Sequence, residues 1–303
     1  MAIKTVQAII NGQTYTLALN NTTGKYETTI TAPSKSSYNQ SGHYYGVKVT
    51  ATDMAGNTTT KDSTDTTLGA SLKLQVKEKV APIITIVSPT SGTFITNNKP
   101  TIIWNVTDAD SGVNPATIGI TIDNGTKVTG DAITKTAITN GYQCTYTVST
   151  ALNDGSHTIK LDASDYDGNA AATSSTTFKV DTVPPTLTIS SPTDKLITNK
   201  QVCTVKGTTN DATSSPVKVT IKLNSGTAEA VTVDSNGSFS KDLTLANGNN
   251  TITIVATDSA GKTTTVTRTV TLDTAAPVIK SVTLTPNPVD TGKTFVIAVE
   301  VTD

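Results

Sequence analysis

Acidic side chains occur in close pairs at two places in the middle of the chain. Asp108 and Asp110 lie in the segment TDADSG, and Asp165 and Asp167 lie in the segment SDYDGN. Calcium prefers oxygen ligands and takes about six to eight of them, so four converging carboxylates could hold this ion. The alternative is that these aspartates only form turns, because an Asp side chain readily accepts hydrogen bonds from the backbone that follows it.

Two further observations bear on calcium. The segments that correspond to these two later in the chain, TTNDATSS and TDSAGK, carry fewer acids, which favours the turn-forming role. DYDGN is similar to the start of an EF-hand loop, but the flanking helices and the late Glu of that motif are missing. Calcium therefore stays one of two interpretations of the four aspartates.

Residues for other kinds of chemistry are sparse. The two histidines, His43 and His157, have no Cys or His partner at a zinc-binding spacing. The sequence contains no GxSxG, HExxH or phosphate-binding Gly loop. His43 stands beside Tyr44 and Tyr45, a cluster that either contacts sugar or packs within a strand. We therefore predict no catalytic residue, no cofactor-binding residue and no enzymatic activity.

One short pattern, in which Gly follows Asp after three residues, occurs three times. It reads ATDMAGN at 51–57, ASDYDGN at 163–169 and ATDSAGK at 256–262. Each copy follows one run of alternating apolar residues and precedes another, so it predicts a hairpin loop. Gly would supply a positive φ angle there, and Asp would bond to the following backbone.

Longer repeats divide the chain into units of about 100 residues. APIITIVSPTSGTFITNNKPTIIW from residue 81 aligns with VPPTLTISSPTDKLITNKQVCTV from residue 183, and a third start begins at residue 273. We predict domains at 1–79, 80–181 and 182–272, followed by a partial fourth domain at 273–303. VDTVPP and LDTAAP between them predict stiff spacers, because Pro fixes φ.

The apolar periodicity is that of half-buried strands. About seven short strands per unit, separated by turn signals such as NSG and DSNG, predict an all-β fold of two-sheet sandwiches that forms an elongated rod. Threonine makes up roughly a fifth of the chain, which agrees with strands. We expect Trp104, the only Trp, to pack in a core, and Cys144 and Cys203 to be buried free thiols.

Charge and hydropathy exclude several partners. The formal net charge is -1 and 16% of residues are charged, so neither nucleic acid nor an anionic membrane surface is indicated. No apolar run approaches the length of a membrane span, and the first residues lack the pattern of a signal peptide. We expect no membrane insertion and no export by the general secretion route.

The recurring segments resemble a known family. ATDMAGN, VDTVPPTLTISSP and LDTAAPVIKSVTLTP are similar to the bacterial immunoglobulin-like (Big-type) repeats of surface adhesins and of tail proteins from phages that infect Gram-positive bacteria. The stretch at residues 10–57 resembles the N-terminal module of such tail proteins. The resemblance implies tandem immunoglobulin-like domains, and it is specific for fold rather than function.

The resemblance implies a structural and adhesive function. We expect a spacer and weak host-attachment component of a phage virion, in a tail, a fibre or a decoration protein, that assembles in the host cytoplasm and is released by lysis. Other tail proteins and host cell-surface polysaccharide are the expected partners. The alternative is a bacterial cell-surface adhesin that binds polysaccharide.

Both ends of the sequence interrupt a repeat. The first module aligns with the repeat from residue 217, so its first two strands are missing, and residues 273–303 supply only the first two strands of another. One expectation is a longer array of which this chain is part. Another is a homo-oligomer in which 273–303 completes the first module of the next copy by strand addition. Alternatively, residues 70–79 cover the first module from within its own chain.

Overall fold

Strands dominate the computed structural model, which describes residues 2–303. The chain separates into two compact units, one ending at Val180 and the other running from Asp181 to Asp303. The abundance of Thr, Val and Ile explains the strands, because side chains branched at Cβ pack well on a pleated surface. Four short 3₁₀ helices interrupt them: Ser37–Asn39, Ser41–His43, Gly69–Leu72 and Gly130–Ala132.

The first unit begins with a single sheet. Its strands are β1 (Ile3–Ile10), β2 (Gln13–Asn20), β3 (Lys25–Glu27), β4 (Tyr45–Asp53), β5 (Thr58–Lys61) and β6 (Lys73–Leu74). They are ordered β3-β2-β1-β4-β5, and β6 pairs with β4. This sheet has no second sheet of its own, so residues 2–79 differ from a sandwich.

Other segments partly cover this sheet. Residues 28–44 contain no strand, and the buried apolar side chains before residue 80 are Val6, Ala8 and Tyr45. Within 70–79, Leu74 pairs with Tyr45 across β6 and β4, as expected if this segment covers the first module from its own chain.

Residues 80–180 form two sheets. The strands are β7 (Ile83–Ser88), β8 (Phe94–Ile95), β9 (Thr101–Thr107), β10 (Val113–Ile122), β11 (Val128–Thr129), β12 (Thr134–Ile138), β13 (Gly141–Thr147), β14 (Gly155–Asp165) and β15 (Ser174–Val180). One sheet is ordered β12-β13-β9-β7 and the other β11-β10-β14-β15-β8. Pairing is antiparallel except between β8 and β15, which are parallel.

The inward faces of these two sheets enclose one core. Alternate residues of β9 are fully buried, namely Ile102, Trp104 and Val106. Cys144 on β13 pairs with Trp104. The prediction that Trp104 packs in the core is confirmed, since its exposed fraction is 0%. Phe178 also belongs to this core.

The second unit repeats the plan. Its strands are β16 (Thr186–Ser191), β17 (Leu196–Thr198), β18 (Val202–Asn210), β19 (Lys218–Leu223), β20 (Glu229–Val231), β21 (Ser238–Thr244), β22 (Gly248–Thr257), β23 (Thr263–Leu272), β24 (Val278–Thr285) and β25 (Val296–Thr302). The sheets are β16-β18-β21, β17-β23-β22-β19-β20 and the separate pair β24-β25. β17 runs parallel to β23, as β8 does to β15.

Alternate residues of β22 lie at the centre of the second core. Ile252, Ile254 and Ala256 of β22 are fully buried, and they pack with Val219 and Val270 from the neighbouring strands. The domain limits at residues 79, 181 and 272 stay predictions. The sheet before residue 79 lies in the same compact unit as the sandwich that follows it.

Both cysteines are buried and free, as predicted. Burial raises the pKa of the Cys144 thiol to about 11, so this thiol stays protonated at neutral pH. Cys203 packs in the core of the second unit, where burial raises its pKa as well. Each is an inert core side chain.

Candidate functional site

The repeated Asp–Gly loop has the same geometry in all three copies. Asp53, Asp165 and Asp258 each accept the backbone N–H of the residue four positions later, at 2.9, 2.7 and 2.8 Å. The Gly of each loop has a positive φ angle of 93, 92 or 86°. The loops join β4 to β5, β14 to β15 and β22 to β23. The prediction of hairpin loops is therefore confirmed.

An acidic cluster lies at one end of the sandwich in the first unit. Carboxylate oxygens of Glu78, Asp108 and Asp165 all lie within 4.8 Å of one another. Asp108 and Asp165 are buried, and Glu78 is half-buried. The structure thus brings together two of the four aspartates predicted to bind calcium and adds Glu78, which the sequence did not indicate.

Hydrogen bonds hold this cluster in place. The Oδ1 atom of Asp108 accepts the backbone N–H groups of Asp110 and Gly112, at 3.0 and 2.8 Å. Glu78 Oε1 accepts the N–H of Ser111 at 2.5 Å. Because these bonds fix the loop after β9, they support a turn-forming role for Asp108 whether or not a cation is present.

The other two predicted ligands, Asp110 and Asp167, are not members of this cluster and hold neighbouring backbone instead. Asp110 Oδ1 accepts the backbone N–H of Ser36 at 3.0 Å and the side-chain amide of Asn39 at 2.9 Å. Asp167 Oδ2 accepts the hydroxyl of Ser36 at 2.7 Å and the N–H of Glu78 at 3.0 Å. These two aspartates therefore tie residues 36–39 and Glu78 to the sandwich, and calcium at the predicted set of four stays a prediction.

An aromatic stack accompanies these bonds. The ring of Tyr38 stacks on Tyr166 with centroids 4.5 Å apart and on His43 at 4.1 Å. Tyr45 is buried, and its hydroxyl donates to the carbonyl of Lys35 at 3.1 Å. The aromatic residues near His43 therefore pack against protein.

A second acidic cluster lies in the second unit. Oxygens of Asp181, Asp211 and Asp258 lie within 4.8 Å of one another, and all three residues are buried. Asp211 follows β18 as Asp108 follows β9, and Asp258 directly follows β22 where Asp165 is the last residue of β14. The two loops at this end, TTNDATSS and TDSAGK, contribute one acid each, and Asp181 comes from the segment VDTVPP, which was predicted to be a spacer.

The third acid of each cluster, Glu78 or Asp181, lies at a fixed spacing from a Pro in the sequence. Glu78 stands four residues before Pro82, and Asp181 stands four residues before Pro185. Asp273 has the same spacing to Pro277. An acid at this fixed distance before the first strand of a repeat therefore marks the third member of such a cluster.

His157 makes a separate polar contact in the first unit. Its Nδ1 lies 2.5 Å from Asp123 Oδ2, and its Nε2 lies 2.8 Å from the carbonyl oxygen of Asn153. Burial alone would lower the pKa of His157, but the hydrogen bonds to Asp123 and Asn153 outweigh it and raise the pKa above 6.5. His157 is 8% exposed, and it belongs to neither of the two groups of possible metal ligands found within residues 2–303.

One cavity of about 560 Å³ lies against the first sheet. Tyr15, Ile30 and Leu74 contribute to its wall together with Asn11 and Gln13. It shares no lining residue with either acidic cluster, and no His, Cys, Asp or Glu lines it. The cavity wall is therefore mostly apolar and amide-bearing, with Tyr15 as its one aromatic residue.

The strand order defines the class of protein. The sheets β12-β13-β9-β7 and β11-β10-β14-β15 have the D-E-B-A and C′-C-F-G arrangement of immunoglobulin domains. The second unit has the corresponding arrangement without a fourth strand in its smaller sheet. The chain is thus an all-β protein of tandem immunoglobulin-like β-sandwich domains, as predicted.

Comparisons with known proteins agree with this class. Residues 88–182 match the family model described as Bacterial Ig-like domain, and residues 185–274 match the one described as Glucodextranase, domain B. Bacillopeptidase F of Bacillus subtilis (strain 168) is 34% identical over 185 residues. That match covers 61% of this chain but only 11% of Bacillopeptidase F.

Solved structures with similar folds share little sequence. Fibronectin(III)-like modules of Clostridium thermocellum CbhA are 17% identical, with a TM-score of 0.38 over 63% of this chain and 94% of theirs. An I-band fragment of titin is 15% identical, with a TM-score of 0.43 over 89% of this chain and 88% of its own. Among residues 2–303, no helix is long and apolar enough to cross a membrane.

Proposed function

We propose that the chain is a non-enzymatic structural and adhesive component, in which immunoglobulin-like modules act as spacers. One observation carries this proposal. The three Asp–Gly loops, which are the most repeated feature with chemically active side chains, use their carboxylates to close hairpins. Carboxylates that are fixed in this way hold the backbone in place, which favours a structural role over acid–base chemistry.

The exposed strand faces supply a surface for weak attachment. Thr263, Thr265, Thr267 and Thr269 alternate along β23 with their side chains exposed. A row of hydroxyl groups can exchange hydrogen bonds with the hydroxyls of a polysaccharide at little cost in desolvation. Host cell-surface polysaccharide is therefore the ligand that we propose for this face.

For the assembly that carries the chain, we propose a phage virion, with other tail proteins as partners. The resemblance of residues 10–57 to the N-terminal module of phage tail proteins supports this carrier. The near-zero net charge also suits a particle surface, since it implies neither nucleic acid nor membrane as a partner.

A second candidate is a non-catalytic segment of a secreted or cell-surface bacterial protein. The matches to Bacillopeptidase F and to domain B of a glucodextranase favour it. In that case the modules would space or attach a larger protein, and any catalytic activity would belong to other parts of it.

Antibodies raised against the chain distinguish the two candidates. In a lysogenic or infected culture, the virion proposal predicts that the chain co-purifies with intact particles and is detected on them by immunogold labelling. The second candidate predicts the chain in the cell-wall or medium fraction of uninfected cells. Recovery only as a free cytoplasmic protein would contradict both.

A further inference from the structure

We propose that Asp181, Asp211 and Asp258 bind one calcium ion inside the second unit. This inference goes beyond the spacer function and does not depend on which particle or cell surface carries the chain. It also differs from the site predicted from sequence, because none of these three residues belongs to that set. It rests on an unpartnered carboxylate oxygen together with the geometry and chemistry of the three acids.

The unpartnered atom is Oδ2 of Asp258. Asp258 is 5% exposed, and this oxygen has no hydrogen-bond donor within the structure. Leaving a buried carboxylate oxygen without a partner is costly, and the cost is larger beside two other carboxyl groups. None of the ion pairs found within residues 2–303 involves Asp181, Asp211 or Asp258. A bound cation would satisfy the free oxygen and relieve the repulsion.

The distances fit calcium. One oxygen from each of the three residues lies within 4.8 Å of the other two. Two ligands of calcium at about 2.3 to 2.6 Å can be separated by up to about 5 Å when they lie on opposite sides of the ion. Magnesium forms shorter bonds, about 2.0 to 2.1 Å, and demands near-ideal octahedral geometry, whereas calcium tolerates irregular sites.

The ligand chemistry excludes softer metals. The cluster contains three carboxylates and neither His nor Cys. Zinc and other transition metals favour sites with nitrogen or sulfur ligands, whereas hard cations favour oxygen alone. Calcium also accepts irregular coordination completed by water, which suits a site with three protein carboxylates.

Hydrogen bonds to carboxylate oxygens hold the three side chains in place. Asp211 Oδ1 accepts the N–H groups of Thr213 and Ser214 at 2.8 and 2.7 Å. Asp258 Oδ1 accepts the N–H of Lys262 at 2.8 Å. Asp181 accepts the N–H of Val183 and the hydroxyl of Ser214. The site is therefore preorganised, which lowers the entropic cost of binding.

The corresponding cluster of Glu78, Asp108 and Asp165 lacks one of these features. No carboxylate oxygen of that cluster is both buried and unpartnered. Its third acid is a half-buried Glu that already accepts the N–H of Ser111. Of the two clusters, only the one in the second unit therefore contains a buried carboxylate oxygen without a hydrogen-bond donor.

Titration calorimetry on the complete 303-residue chain, freed of metal beforehand, tests the proposal. We expect Asp258→Asn to bind one equivalent of calcium fewer than the parent chain, because the amide keeps an acceptor for Lys262 but removes the charge. Asp53→Asn is the matched control, since Asp53 closes the same kind of loop and belongs to neither cluster. It should bind calcium as the parent does. Magnesium should bind at least about tenfold more weakly than calcium.

Thermal unfolding separates a ligand role from a structural one. In chelator, Asp258→Asn should melt at or above the temperature of the parent, because repulsion is relieved. In about 1 mM calcium only the parent and Asp53→Asn should gain stability, by roughly 5 °C or more in the transition of the second unit. If Asp258→Asn does not fold, Asp181→Asn, which lies outside the loop, should show the same loss of calcium binding.

Three results would overturn the proposal. These are no calcium uptake by the parent chain, the same uptake by the parent and by a folded Asp258→Asn or Asp181→Asn variant, and magnesium binding as tight as calcium binding. A melting temperature of Asp258→Asn below that of the parent in chelator, with no additional difference in calcium, would show that Asp258 is purely structural.

Discussion

At the scale of single residues, equivalent strand positions in the two units carry different polar side chains, His157 in the first and Asn250 in the second. His157 and Asn250 both occupy the third position of their strands, β14 and β22. Asn250 accepts from the amide of Asn224 at 3.1 Å and donates to the carbonyl of Ala246 at 2.7 Å. His157 contacts a carboxylate and a carbonyl instead, so both of its ring nitrogens face acceptors. Two acceptors favour the protonated imidazolium, which carries two donors.

This difference predicts a pH-dependent stability in the first unit alone. The folded pKa of His157 is raised above 6.5 by its contacts with Asp123 and Asn153, which outweigh the opposing effect of burial. The stabilisation is therefore fully present below the unfolded pKa and is lost as pH rises through the folded pKa. Denaturant unfolding of the first unit should show its free energy of unfolding falling as pH rises above about 6.5.

The second unit supplies the matched variant. Asp123→Asn combined with His157→Asn copies the pair Asn224 and Asn250, and it should fold while losing this pH dependence. The exposed His43→Asn should retain it. An unchanged pH dependence in the double variant would show that another group is responsible.

At the scale of elements, the separate strand pair β24-β25 has one apolar face. Three cross-strand pairs form it, Ile279 with Val301, Val282 with Val299 and Leu284 with Ile297. Their side chains are between 43% and 64% exposed. An apolar patch of this kind is a site for self-association.

We therefore expect the chain to self-associate as its concentration rises, and Val282→Lys with Val299→Lys to prevent this. Thr283→Lys with Ala298→Lys places the same charges on the opposite face of the same strands and should leave association unchanged. Sedimentation velocity over a wide range of concentrations measures both. A parent chain that stays monomeric at every concentration would contradict self-association. It would also contradict a homo-oligomer that forms through residues 273–303.

The sequence predicted the features that depend on neighbouring residues, and it did not predict contacts between residues far apart in the chain. The Asp–Gly loops and the alternating core positions of β22 were predictable, because turn chemistry and period-2 alternation act over a few residues. The pairing of Ser36 with Asp167 was not, since these residues lie 131 positions apart. The third acid of each cluster was missed for a similar reason, because a linker residue looks like a spacer until the fold brings it to the loops.

At the scale of the whole molecule, the described chain contains two cores that share no residue. One is built around Trp104 and Phe178, and the other around Ile252 and Ile254. Thin cores of this kind leave each unit marginally stable, since burial offsets chain entropy only narrowly.

Truncation in one core should therefore affect one unfolding transition. Leu161→Ala and Ile254→Ala, at two fully buried positions, should each destabilise their own unit by about 2 to 5 kcal/mol. Ile83→Ala, which truncates an exposed side chain, should have an effect below about 0.5 kcal/mol. Calorimetric unfolding measures these effects, and a shift of both transitions by either core variant would contradict two separate cores.

The central claim is that the three Asp–Gly loops are equivalent structural hairpins whose carboxylates hold the backbone. Hydrogen exchange at the amides of Asn57, Asn169 and Lys262 tests it most directly, since these N–H groups donate to the three carboxylates. We predict that all three amides are protected in the parent chain and that each Asp→Ala variant removes protection at its own loop. Exchange as fast as in an unstructured peptide at these amides of the parent chain would contradict the claim.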